Sequence, residues 1–284
     1  MGFQYLQPES VDEAIACRKA HRGSYLLAGG TDLLVRIHAG RLSPSAVIGL
    51  GRVKELDAEI TAELEGVRIG ALAVLTDVAR NTTVATRFPA LQQAAASVGS
   101  RQIRNRATLV GNLCNASPAA DTVPPLLIYE ARVMIANGRT SRQVALEEFF
   151  TGPGKSILTE DELVVGVWIP YPAFSYCSAY RRISRRRGVD LSLAGVAGLV
   201  ADTGEVRLAL GAVGPKPFRA RQSEGLLKGY AGDEARLEAA LACLIAEAAP
   251  ITDIRASRAY RLEMIQVLAT RVLRECAMEA DHGQ

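Results

Sequence analysis

The chain has 284 residues, 49% of them hydrophobic and 22% charged, with a formal net charge of +3, which is enough material to bury a sizeable core across two domains. So nearly balanced a charge gives no general case for nucleic acid or an anionic membrane, and no apolar run reaches the ~18 residues of a membrane-spanning helix. The five cysteines (Cys17, Cys114, Cys177, Cys243 and Cys276) are odd in number and form no CxxC pair, which argues against a disulfide framework, a zinc site or an iron–sulfur cluster of the chain's own.

In chain order, the opening MGFQYLQPESVDEA lacks the basic and apolar regions of a signal peptide, and a cytoplasmic chain is expected. Residues 10–22 read as a helix: Ser10 is a cap, Glu13 stands three residues on as in a capping box, and Val11, Ala14 and Ile15 share a face. Leu26-Leu27-Ala28 is a buried strand that runs into Gly29-Gly30, an N-cap at Thr31 and an amphipathic run ending near Gly40. Ala46 to Leu50 is a further strand, so about the first 50 residues make a small β-α-β unit. Gly66 to Gly70 is one arm of a hairpin, a short helix starts at Thr76-Asp77, and a better one has Pro89 in its first turn and Gly99 at its end. That helix carries Leu91, Ala94, Ala95 and Val98 on one side. It leads into Ser100 to Arg106, which holds three arginines and reads as a solvated turn, a phosphate contact or a partner contact.

Thr108 to Asp121, TLVGNLCNASPAAD, has too little apolar periodicity for a helix and too many small side chains for a packed strand. It reads as a loop that touches something polar: small residues let backbone N–H groups approach a ligand, Asn112, Asn115 and Ser117 supply neutral hydrogen bonds, and Asp121 offers one acceptor. Cys114 and Asp121 alone are too few for a metal cage. The earlier strand–glycine–helix passage has the form of an anion site. Two such loops in one chain point to a pyrophosphate-containing ligand.

Beyond Asp121, Pro124-Pro125 opens an apolar turn or helix, Arg132 to Ala136 is a strand, and Asn137-Gly138 is a hairpin turn. Gly152-Pro153-Gly154-Lys155-Ser156 ends like a nucleotide P-loop, but the first glycine of GxxxxGK[ST] falls at Phe149, so it reads as a surface loop. Leu163 to Ile169 is a nearly unbroken β-branched strand that Pro170 terminates. A boundary is expected near Tyr171-Pro172. Past it, Ser175 to Ile183, Leu191 to Ala201 and Val206 to Val213 read as a three-stranded antiparallel meander, followed by helices over 233–248 and 257–280. In the last helix Leu262, Ile265, Leu268, Val272, Leu273 and Cys276 keep core spacing. The basic run Arg181 to Arg187 has too few aromatics for a nucleic-acid strand and reads as a solvated or interface strand.

The pair AGGTDLL (Ala28 to Leu34) and TLVGNLCNASPAAD (Thr108 to Asp121) resembles the flavin-binding medium subunit of the molybdenum hydroxylases, the family of xanthine dehydrogenase and carbon monoxide dehydrogenase. The opening FQYLQPES (Phe3 to Ser10), TGPGKSILTEDELVVGVWIP (Thr151 to Pro170) and YRRISRR (Tyr180 to Arg186) match in the same order. The resemblance implies an α+β chain. A PCMH-type FAD-binding domain over 1–172 would have two α+β subdomains, about 1–53 and 54–172. A C-terminal domain of a three-stranded antiparallel sheet with helices would cover 173–284.

The same resemblance implies the cofactor contacts. Leu26, Leu27, Ala28, Gly29, Gly30, Thr31, Asp32 and Leu33 would wrap the FAD pyrophosphate, with Thr108, Gly111, Asn112 and Ser117 completing the cradle. Asp121 would hold a ribityl or ribose hydroxyl, Leu163 or Val164 would lie against the adenine or ring system, and Val98, Arg181 and Arg182 complete the set. Two departures stand out. The family's lysine after the aromatic is replaced by Arg181 and Arg182, which are not interchangeable with it at a geometric site, and its glycine before Gly111 is the β-branched Val110.

Catalytic machinery of the chain's own is not apparent: there is no Ser-His-Asp set and no HExxH, and His21, His38 and His282 stand beside no nucleophile. The redox chemistry would belong to the flavin. The implied function is to pass electrons from [2Fe–2S] clusters on a small partner subunit through FAD to a soluble acceptor, with molybdopterin on a large subunit, in a dimer of heterotrimers. A stand-alone flavin-dependent oxidase and a non-catalytic nucleotide-binding module are the alternatives.

Overall fold

The computed structural model describes residues 2–186 and 188–282, the last four by backbone alone. Arg187 of the basic run, the His282 side chain, and Met1, Gly283 and Gln284 at the ends of the expected domains lie outside the described residues. No helix among the described residues is long and apolar enough to cross a membrane.

The chain opens with β1 (Gln4–Leu6) and α1 (Val11–Ala20). The Ser10 hydroxyl accepts the Glu13 amide at 3.2 Å, one of the amides that a helix start leaves unpaired, and the Glu13 carboxylate reaches back to the Glu9 amide at 2.7 Å. Helix α1 buries Val11, Ala14 and Ile15. Next come β2 (Tyr25–Leu27), α2 (Leu33–His38) and β3 (Ala46–Gly49). Strand β3 lies between β1 and β2 and pairs in parallel with both. Its four residues are all buried, as a covered parallel strand requires. The cap position of α2 is Asp32 rather than the expected Thr31, and none of its residues is buried.

A five-stranded antiparallel sheet follows, in the order β4 (Ile60–Ala62), β5 (Gly66–Gly70), β10 (Leu163–Pro170), β6 (Arg132–Ala136), β7 (Ser141–Ala145). Between β5 and β6 the chain makes α3 (Leu75–Arg80), α4 (Thr82–Arg87), α5 (Pro89–Ser97), α6 (Arg101–Arg104), α7 (Leu109–Cys114) and α8 (Val123–Ile128). The α7 helix corrects the expectation of a non-helical loop. Its apolar signal is a single turn, Leu109 and Leu113, both fully buried with Val110 beside them, and Thr108 caps it by accepting the Gly111 amide at 2.9 Å. One turn is too short to register as periodicity. The Asn137-Gly138 turn joins β6 to β7, Gly138 at φ +82°. After α9 (Leu146–Phe149), the GPGKS stretch forms a tight hairpin between β8 (Phe150–Gly152) and β9 (Lys155–Ser156).

The C-terminal sheet has four strands rather than three: β11 (Tyr176–Ile183), β12 (Ala194–Ala201), β13 (Val206–Gly211) and the two-residue β14 (Phe218–Arg219), antiparallel throughout. The expected middle and third strands were longer: β12 begins three residues later than Leu191, and β13 ends at Gly211 because Ala212 turns into the left-handed region at φ +64°. Helices α10 (Arg221–Leu226), α11 (Glu234–Glu247) and α12 (Arg258–His282) complete the chain.

Strand β12 is buried at all eight positions. Alternate residues face opposite ways: Ala197, Leu199 and Ala201 join the core of the first 170 residues, while Val196 and Val200 join a second core with α11 and α12. The six core positions read on α12 are all buried, each apolar one worth roughly 1.5–3 kcal/mol against exposure. Gly198 permits that packing, since a β-carbon there would lie 2.5 Å from Val272 Cγ1.

A buried tyrosine ties the sheet to α5. The Tyr129 hydroxyl accepts the Ala90 amide at 3.1 Å and shares a hydrogen bond with Ser178 of β11. Tyr129→Phe leaves that buried amide and hydroxyl without a partner, and we expect it to lower the unfolding free energy by ~1–3 kcal/mol in urea titration, with an unchanged fold by circular dichroism.

Candidate functional site

The first polar loop leaves β2 at Leu27 and reaches α2 at Leu33. Gly30 sits at φ +77°, a left-handed backbone that suits glycine. Leu34 and Leu27 close over it, 2.9 and 3.2 Å from where a β-carbon would stand. Gly29 makes the decisive contact: a β-carbon there would lie 1.9 Å from the Arg106 carbonyl oxygen and 3.1 Å from the Ala107 Cα. The two expected ligand loops therefore abut, backbone on backbone. Among the described residues no protein acceptor takes the amides of Gly29, Gly30, Thr31 and Asp32.

The second loop is fixed at its start and along its length. Ala107 and Leu109 are zipped to Ala73 and Leu75, with N···O distances of 2.8 and 3.0 Å. The Asn112 side-chain Oδ1 accepts the Thr122 hydroxyl at 2.7 Å, and the Ser117 hydroxyl accepts the Ala119 amide at 3.2 Å. Ala116 takes φ +48°, and its carbonyl accepts the Gly154 amide at 2.9 Å. Thus the glycine of the failed P-loop braces the second polar loop from outside. Val110 stands within the ordinary backbone of α7, so the β-branched replacement is tolerated.

The three arginines before this loop divide. Arg104 donates to the Val98 and Gly99 carbonyls at 3.0 and 3.2 Å and caps the end of α5, while Arg101 and Arg106 are exposed. Val98 is partly buried at that end of α5.

At the far end of the loop Asp121 is 8% exposed. Its Oδ1 accepts the Tyr180 hydroxyl at 2.6 Å and the Ser192 hydroxyl, and its Oδ2 accepts Arg182 at 2.9 Å. Rather than standing open to a ligand hydroxyl, this carboxylate is engaged by three protein donors. Burial pushes the Asp121 carboxyl above its ordinary value, with the Arg182 guanidinium pulling the other way. Burial, reinforced by the Asp121 charge, also pushes the Tyr180 phenol well up, so it remains an O–H donor across the working pH range.

The structure parts the paired arginines. Neighbours on a strand point to opposite faces. Arg182 faces Asp121, but Arg181 faces the helix side, where Glu275 holds it at 2.5 and 2.6 Å and Gln93 at 3.1 Å. Leu163 and Val164 are buried at the start of β10, opposite Ala136 and Ile135, in the sheet on which α7 packs. Sequence reasoning missed Tyr180 and Ser192. Tyr180 shares strand parity with Arg182, which was a usable signal. Nothing marked the lone serine.

Cys114 is exposed at the end of α7. Among the described residues no three His, Cys, Asp or Glu side chains gather as a metal ion would need. His38 is exposed on α2.

Comparison with known proteins adds an independent line. A family model described as the FAD binding domain in molybdopterin dehydrogenase matches residues 1–172, and one described as the CO dehydrogenase flavoprotein C-terminal domain matches residues 178–276. The chain is 33% identical over 281 residues to the xanthine dehydrogenase FAD-binding subunit of Escherichia coli O157:H7, covering 97% of this chain and 96% of that one. It is 31% identical over 279 residues to the glyceraldehyde dehydrogenase medium chain of Sulfolobus acidocaldarius, covering 97% and 98%. Among solved structures, carbon monoxide dehydrogenase from Hydrogenophaga pseudoflava matches with a TM-score of 0.92 at 30% identity, over 99% of this chain and 98% of that chain.

The loop contact is directly testable. Gly29→Ala must displace the Arg106 carbonyl, and we expect a loss of ~1–3 kcal/mol in thermal or chemical denaturation. Gly225→Ala, in open space on α10, should instead raise stability by up to ~1 kcal/mol.

Proposed function

This chain belongs to the FAD-binding family of the molybdopterin dehydrogenases, as an oxidoreductase flavoprotein subunit, and we propose that it holds one FAD where its two polar loops meet and relays electrons as the medium subunit of a molybdenum hydroxylase. The observation that carries the reading is the abutment of Gly29 on Arg106 and Ala107, beside four backbone amides with no protein acceptor. Such amides suit a diphosphate: they donate hydrogen bonds without a side chain in the way, and they cannot titrate.

In this reading Leu26 to Leu33 wrap the diphosphate, and Thr108, Gly111, Asn112 and Ser117 form the facing wall. Thr108 sets the turn of backbone that presents Gly111, and Thr122 orients the Asn112 side chain through the hydrogen bond to its Oδ1. Leu163 and Val164 back the sheet beneath α7, and Val98 closes the end of α5. Arg182 and Asp121 lie at the far end of the loop, each neutralising the other's charge. Arg181 is left out, because Glu275 and Gln93 hold its guanidinium.

The redox chemistry would be the flavin's: in the proposed assembly it would pass electrons from [2Fe–2S] clusters on a small partner subunit to a soluble acceptor, with molybdopterin on a large subunit. This chain's part is to bind, orient and shield. A dimer of heterotrimers is the assembly we propose. Support comes from the end-to-end match to chains named as an FAD-binding subunit and a medium chain, 96% and 98% of whose lengths are covered.

Purified full-length chain titrated with FAD should take up one equivalent, read as flavin absorbance near about 450 nm and quenched flavin fluorescence. Failure to bind added FAD would sink the assignment in favour of a different nucleotide module. The isolated chain should turn over no organic substrate, whereas turnover would favour a stand-alone oxidase. Lys155→Ala should leave FAD affinity unchanged, since the GPGKS hairpin is not a phosphate cradle.

A further inference from the structure

The second polar loop is shaped from two directions. Its start is zipped to Ala73 and Leu75, within the first half of the chain, but its far end is held by the C-terminal sheet. Three strand ends converge there. Tyr180 and Arg182 come from β11, Ser192 from the segment before β12, and Ala212, just past β13, donates its amide to the Pro118 carbonyl at 2.7 Å. Tyr180 reaches Asp121 by lying across Gly195, where a β-carbon would stand 2.6 Å from its hydroxyl oxygen. Ser192 is 2% exposed and Tyr180 4% exposed, so both hydroxyls are sealed from water and have the carboxylate as an acceptor. The chain of contacts runs on into the cradle: Thr122, next to Asp121, is fully buried and its hydroxyl fixes Asn112.

We propose that Tyr180 and Ser192 are positioning residues for the cofactor, their hydroxyls fixing Asp121 and through it the Asn112–Ser117 wall, so that docking of the C-terminal sheet and FAD binding are coupled. The inference rests on the FAD reading given above. Neither residue need touch the flavin. A carboxylate with only Arg182 for company could swing toward solvent, whereas two hydroxyls on its other oxygen leave it one orientation. The loop then pre-exists in its binding shape, and less of the binding free energy goes into ordering it.

The test uses the full-length chain and FAD. Tyr180→Phe and Ser192→Ala should each raise the FAD dissociation constant roughly five- to tenfold, the scale of one lost hydrogen bond to a charged group. They should also alter the visible circular dichroism and midpoint potential of the bound flavin, which a general loss of stability would not move. Ser178→Ala is the matched control: it breaks the buried Tyr129–Ser178 link between the same two halves of the molecule, and should lower stability while leaving affinity and spectrum unchanged.

A measurement on the unmodified chain covers the case in which a variant does not fold. Addition of FAD should slow amide exchange in residues 178–183 and 190–194 as well as in the two loops. Protection confined to residues 26–33 and 106–124 overturns the proposal, as do wild-type affinity and spectrum in both hydroxyl variants, or equal weakening by Ser178→Ala. If the unmodified chain takes up no FAD, the functional reading itself falls and this inference with it; if it binds FAD normally and the variants do too, this inference alone falls.

Discussion

Two polar loops share one place because residue 29 has no side chain. The carbonyl of Arg106 occupies the volume that any β-carbon at that position would claim, so the parallel sheet and the segment leading into α7 meet through backbone alone. Every other feature of the site is arranged about that contact. Gly30 takes a left-handed turn among four amides that have no protein acceptor, and the zipper to Ala73 and Leu75 keeps the opposing segment from sliding. A close approach of two main chains brings many fixed dipoles together with little side-chain entropy to lose, which is a suitable surface for a large, doubly charged diphosphate.

The C-terminal sheet completes the site from behind. Its buried strand β12 is built from small residues, and the two glycines within it have separate tasks: Gly198 admits α12 on one face, and Gly195 admits the Tyr180 ring on the other. The packing of the long helix and the placement of the Tyr180 hydroxyl are thus decided three residues apart on the same strand. Asp121, Tyr180, Arg182 and Ser192 form a hydrogen-bonded polar cluster, which specifies one arrangement where an apolar contact would allow several.

Much of this was legible in the residues, and what was not has physical reasons. The helices α1, α5, α11 and α12 announce themselves because each carries several turns of periodicity or a cap, and β10 because it is a continuous β-branched run that proline ends. The glycine pair signalled a close approach, though not what would approach. Helix α7 escaped because one buried turn, Leu109 to Leu113, is too brief a pattern, and β14 because two residues have no pattern at all. The arginine pair shows a different limit: strand parity dictates that Arg181 and Arg182 part company, but which of them meets Asp121 depends on which face of the sheet is covered by α12. Likewise Ser192 takes its meaning only from a carboxylate brought to it by the fold.

The donors that hold Asp121 all come from residues 180–192, downstream of both loops in the chain. A nascent polypeptide that has emerged only as far as β10 already contains every backbone amide of the proposed cradle, yet its carboxylate at position 121 faces water with nothing to grip it. The final shape of a segment made in the first half of translation is thus set by residues that follow β10.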